Sequence, residues 1–181
     1  PRGATADPTP DADLVVTEMN TPQTFCPNEP WTIEFKIENI GTGIASSWKT
    51  SEHQDDRPYF QADLYVAAMS PDGSYDILNR KLVMGARDSV FDDIVPYNDV
   101  RTVTFSSLGS PTGLNWLGDP EDLPPGKYLL IAHADAISNM VAETSELNNM
   151  LEREVEVLAS CVALTQEPTT HPTADPTVEP T

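Results

Sequence analysis

Five residues with oxygen-bearing side chains crowd one short part of the chain. Asp135 ends the run AHAD, and Glu143, Glu146, Asn148 and Asn149 follow in VAETSELNN. Carboxylates and amide oxygens are what a hard divalent cation such as Ca2+ requires, about six to eight of them around the ion. The spacing is not that of an EF-hand loop. A second reading of the same residues stays open, because Asp and Asn side chains also satisfy backbone donors in tight turns. Weaker acidic candidates are Asp7, Asp11 and Asp13 in DPTPDAD, and the run DSVFDD.

Other chemistries find less support. A hydrolase needs a nucleophile, a base and a group that orients the base. The histidines are His53, His133 and His171. His133 alternates with Ala132 and Ala134 and has no assigned partner, and His171 falls in a repetitive tail. GSPTG misplaces its serine for a nucleophile elbow, and zinc-ligand spacing is absent. No catalytic residues are assigned, and no enzyme is expected. Trp48 and Trp116 lie in long loops and are candidates for stacking on a sugar ring. Trp31 reads instead as a core residue by its parity.

Composition narrows the class. The formal net charge is -19 at pH 7, which argues against a nucleic-acid partner, since phosphate binding needs a basic face. Such acidity favours solubility, divalent cations or basic partners. No apolar run approaches the roughly 20 residues that span a bilayer. The chain starts at Pro1 without a signal peptide, so it reads as a processed chain or a piece of a longer one. No Asn-x-Ser/Thr acceptor is present, because Pro22 follows Asn20-Thr21.

The elements that must position these residues are strands. WTIEFKIEN alternates, with Trp31, Ile33, Phe35 and Ile37 on one face and Thr32, Glu34, Lys36 and Glu38 on the other. DLVVTEM, ADLYVAAM, YDILNRKLVM, VRTVTFSSL, GKYLLIAHAD and LEREVEVL supply the rest, and Pro71-Asp72-Gly73 predicts a hairpin turn. No stretch holds a helical period with caps. About seven strands with turn signals between them predict an antiparallel sandwich over residues 13–161. GIASSWKTSEHQDDRPYF, GARDSVFDDIVPYND and GSPTGLNWLGDPED are expected as long loops. Residues 1–12 form a Pro/Thr-containing linker, and residues 162–181 a tail.

The order DLVVTEM, EPWTIEFKIENIGTGIASS, LPPG, then GKYLLIAHADAISNMVAETSELNN and a last alternating strand resembles the CARDB family, the cell-adhesion-related domain found in bacteria. The resemblance covers Asp13 to about Leu158. It implies an all-β, immunoglobulin-like sandwich that serves as a non-catalytic module of secreted or surface proteins. In such a sandwich the first and last strands run parallel and adjacent when both lie in one sheet. Cys26 and Cys161 then meet near the end of the last strand, and a disulfide is expected there.

The tail repeats Pro-Thr at a period of four: Pro168, Pro172, Pro176 and Pro180 are each followed by Thr. Proline removes a backbone donor and fixes φ, so this segment leans to polyproline II. Thr-rich, Pro-rich tracts are acceptors for O-linked sugars, which makes Thr9, Thr165, Thr169, Thr170, Thr173, Thr177 and Thr181 candidates. An unmodified semi-rigid spacer is the alternative. The expected protein is an extracellular structural glycoprotein that self-associates into a filament or matrix, without nucleic acid or a membrane span. No cofactor is expected beyond a possible Ca2+. An adhesion or sugar-binding module of a multidomain surface protein is the other reading.

Overall fold

Alternation in WTIEFKIEN builds the strand on which one half of the sandwich rests. The computed structural model describes residues 12–27, 29–46, 59–91, 94, 99–107, 123–136 and 140–161. Strand β1 is Leu14–Asn20, β2 Thr24–Phe25, β3 Thr32–Asn39, β4 Tyr59–Ala68, β5 Lys81–Phe91, β6 Val100–Ser106, β7 Gly126–His133 and β8 Met150–Val157. Ile33, Phe35 and Ile37 of β3 are buried while Thr32 is exposed, as the period of two dictates. β3 pairs antiparallel with β1 on one side and β6 on the other. The second sheet has five strands in the order β2-β8-β7-β4-β5. Its central strands β4 and β7 are buried on both faces. They therefore read as apolar runs rather than alternations.

The two sheets close over one core. Leu14, Ile33, Phe35, Phe60, Leu64 and Leu130 are among its fully buried side chains, and Phe35 meets Phe105 at a centroid distance of 5.8 Å. Burial of such apolar area, about 25 cal/mol per Å2, is the main driving term of folding. A smaller apolar cluster of Ala67, Leu129 and Ile131 covers the outer face of the large sheet, where Tyr65, Tyr75 and Ile77 pack on it.

The expected immunoglobulin-like sandwich stands. Tyr128 near the start of β7 donates its hydroxyl to the carbonyl of Pro124 at 2.8 Å, the tyrosine-corner contact of that fold. Three details of the reading need correction. The first strand does not lie in one sheet beside the last. β1 belongs to the three-stranded sheet, and the two-residue β2 crosses over to pair parallel with β8, Thr24 with Glu156 and Phe25 with Val157. YDILNRKLVM is not one strand either. Ile77–Asn79 forms a 3-10 turn whose N-terminus is capped by Asp76, and pairing resumes at Lys81. Finally, GARDSVF belongs to β5 rather than to a loop, and β4 starts at Tyr59, inside another expected loop. β5 is an edge strand, so its backbone pairing with β4 does not require an apolar pattern. The predicted hairpin is present: Gly73 takes φ 86°, open to glycine, and Asp72 accepts from the Ser74 N–H at 3.0 Å.

The path of β8 separates the two chain exits. The N-terminal side enters at Ala12, which bridges Glu143 ahead of β8. The C-terminal side leaves at Cys161, beyond the other end of β8. Eight residues at about 3.3 Å each place these exits some 25 Å apart, on opposite ends of the sandwich. Among the described residues, no helix is long and apolar enough to cross a membrane.

Candidate functional site

β7 ends at His133, and the chain turns through Ala134, Asp135 and Ala136. Asp135 sits at φ 48°, a left-handed conformation that Asp tolerates better than most residues. Its Oδ2 accepts the buried N–H of Val141 at 2.7 Å, which fixes the chain's return. Met140 and Val141 anchor this return in the core. Glu143 follows two residues later and is 7% exposed. Its Oε2 accepts the N–H of Leu14, and its Oε1 accepts from Asn149 Nδ2 at 3.0 Å.

Asn149 is fully buried, and its backbone carbonyl takes the Ala134 N–H at 2.9 Å. The amide nitrogen of Asn149 faces Glu143, and among the described residues its buried Oδ1 meets no donor. Asn148 turns the other way and donates to Asp13 Oδ1 at 2.9 Å. Asp13 is held a second time, since its N–H reaches Asn39 Oδ1 at 3.1 Å. Asn39 in turn donates to the carbonyls of Gly43 and Ile94, at 2.7 and 2.9 Å.

Three carboxylates converge at this corner. One oxygen each from Asp135, Glu143 and Glu146 lies within 4.8 Å of the other two. Burial pushes the Glu143 carboxyl up to about 8, with Glu146 and Asp135 adding to the rise. The Leu14 N–H and the Asn149 amide oppose the rise without cancelling it. Glu146 is also raised, chiefly by burial and then by Asp135. The charged groups acting on Glu143 are both acidic, so the site concentrates negative charge around it.

The structure thus brings Asp135, Glu143, Glu146 and Asn149 of the candidate set together, and turns Asn148 toward Asp13. The turn-forming reading holds at the same time, since Asp135 caps a backbone N–H. What sequence reasoning missed is the partner of Glu143: the N–H of Leu14 lies 129 residues away, and no local pattern announces it. Asn39, ending β3 just before Gly41, was a usable signal for a buried polar tie.

At the opposite end, Cys26 and Cys161 form a disulfide with a Cα–Cα distance of 5.6 Å. Backbone bonds from Glu156 to Gln23 and from Leu158 to Phe25, both 2.9 Å, bring them together. Phe25 meets Trp31 edge-on at 6.3 Å, so Trp31 is a core residue. Glu29 stands beside the sulfurs, but a disulfide offers no thiolate to a metal. His133 lies on the outer face, its ring 6.3 Å from that of Tyr65. Burial and the nearby Arg80 hold its pKa below the ordinary value, against the pull of Asp63. Tyr65 donates to Asp63 at 2.8 Å and lies under the Arg80 guanidinium. Trp48, Trp116 and all the candidate threonines fall outside the described residues.

Comparison with known proteins agrees with the resemblance read from the sequence. Residues 11–88 match the CARDB family. The CARDB domain of a Pyrococcus furiosus protein, solved by crystallography in complex with di-metal ions, aligns at 18% identity and a TM-score of 0.48. That alignment covers 81% of this chain and 94% of the other. The solution structure of the same domain gives 19% identity and 0.48, over 82% and 97%. A β-glucosidase of Listeria innocua in complex with isofagomine aligns at 15% identity and 0.44, covering 83% of this chain but only 17% of its own. No curated protein matches the chain.

Proposed function

Starting from a sandwich of the CARDB type, adhesion-related in the bacterial proteins that carry it, we propose that this chain is a non-catalytic extracellular module that builds a surface filament or matrix. The observation that carries this reading is the placement of the two exits. The N-terminal linker enters at one end of β8 and the C-terminal tail leaves at the other, and each is fastened where it meets the sandwich. Such a unit can be strung in line with its neighbours, and a heterologous contact whose rotation does not close builds an open filament. The disulfide supports an oxidising, extracellular setting. The Pro-Thr repeat fits a stiff spacer, which O-linked sugars on Thr169, Thr173 and Thr177 would hydrate and shield.

Electron microscopy of the protein from its native source, neither reduced nor deglycosylated, tests the assembly. Regular filaments with a poorly contrasted sheath are the expected result. Dispersed particles would overturn it and leave a stand-alone adhesion or sugar-binding module whose tails are spacers. Intact mass of the same material before and after removal of O-linked sugars tests the glycan part separately.

A further inference from the structure

We infer that the corner formed by Asp135, Glu143, Glu146 and Asn149 is a binding site for a divalent hard cation of the Ca2+ type, and that the ion fastens the entry of the N-terminal linker. The first support is geometric. Three carboxylate oxygens lie within 4.8 Å of one another, and oxygens on opposite sides of a Ca2+ stand about 5 Å apart, twice its bond length. The cluster therefore has the dimension of a coordination sphere.

The second support is independent of the acidic residues. Asn149 is 0% exposed, its amide group is held against Glu143, and among the described residues its Oδ1 has no donor. A buried acceptor without a partner costs about 1–3 kcal/mol. An amide oxygen beside a carboxylate cluster is an ordinary Ca2+ ligand, and coordination would remove that cost. The remaining positions around the ion fall to water, as in many sites of modest affinity. Charge supports the same assignment: the groups that act electrostatically on buried Glu143 are Glu146 and Asp135, both acidic.

The consequence for the chain follows from the other oxygen of Glu143. Oε2 accepts the Leu14 N–H at the start of β1, and Ala12 bridges the Glu143 backbone. An ion that keeps Glu143 ionised and in place strengthens both ties. It thereby sets how firmly the linker is joined to the sandwich.

Calorimetric titration of the chelator-treated full chain with CaCl2 tests the site, alongside Glu143→Gln and Glu146→Gln. Glu146 is partly exposed, so its variant is expected to fold even if the other does not. One saturable event per chain is expected, in the roughly 0.1–1 mM range of extracellular modules. Glu143→Gln should abolish it, and Glu146→Gln should weaken it at least about tenfold. The exchange of the Leu14 amide should slow on adding CaCl2 to the unaltered chain. Absence of a saturable event overturns the proposal. So does a binding event left unweakened in both Glu143→Gln and Glu146→Gln, because the ion is then held elsewhere on an acidic surface.

Discussion

The two ends of this sandwich solve one problem with opposite chemistry. Each must hold a chain exit to the sheets. At the β2 end the solution is covalent and apolar: Cys26–Cys161 sits beside Phe25 and Trp31, and short backbone bonds align it. At the β7–β8 corner it is polar and buried, with Asp13 held between Asn39 and Asn148, and Leu14 held by Glu143. A disulfide and an aromatic pair have no proton to lose near neutral pH. A buried carboxylate cluster answers to protons and to cations. The difference teaches that one exit is fixed under all extracellular conditions, whereas the other is tunable.

The largest effect should come from cutting the covalent end. The bond closes a loop with a sequence separation of 135. Replacing both cysteines with serine should cost about 3–5 kcal/mol in urea unfolding, on the chain-entropy account. A loss below 1 kcal/mol, roughly, would mean that the noncovalent contacts already fix this end. Next is Asn39→Ala at the polar end. It removes the acceptor of the Asp13 N–H and the donor to two carbonyls, and it should cost about 3 kcal/mol by the same assay.

The pH profile separates the ends without mutation. The Glu143 pKa is raised on folding, from 4.5 to about 8. Its contribution is therefore fully present below 4.5 and lost as pH rises through about 8. On the order of 2 kcal/mol should disappear over that window in metal-free protein, after allowing for partial water access. Glu143→Gln should flatten the slope, while the cysteine variant should keep it. His133 has the opposite sign. Its pKa is lowered on folding, so its contribution is present above 6.5 and is lost as pH falls through the folded value. The smallest effect is Asn148→Ala, about 1 kcal/mol, because its bond to Asp13 is only half-buried. Faster exchange confined to residues 12–14 would mark it as a local tie at the linker.

How much of this was legible in the sequence depended on the range of the cause. β3, β6 and β8 face the core on one side only, so their alternation gave them away. The same holds for Pro71-Asp72-Gly73, whose turn chemistry is local. β2 escaped notice because two residues carry no period. The polar half of β5 escaped because an edge strand needs only backbone pairing. The acidic corner was legible by residue type, since Asp135, Glu143, Glu146 and Asn149 share one short stretch. Its second task was not. Whether a glutamate in that stretch stays in water or reaches across to Leu14 depends on a fold that brings residues 129 apart into contact. The disulfide was placed correctly from an imperfect picture: the strand beside β8 is the crossover β2, not β1 itself.

The covalent loop has a mechanical meaning. Tension applied between the two linkers enters at Ala12, runs along β1 to Cys26, and crosses the disulfide directly to Cys161. Everything between those cysteines lies off that path and cannot be drawn out. Residues 12–26 span about 50 Å at full extension, and the exits already stand about 25 Å apart, so the module can lengthen by only about 25 Å. Strung in series, such units would stretch by short, bounded steps and spring back with their cores folded. The first contacts to give would be those of Asp13 and Leu14 at the acidic corner.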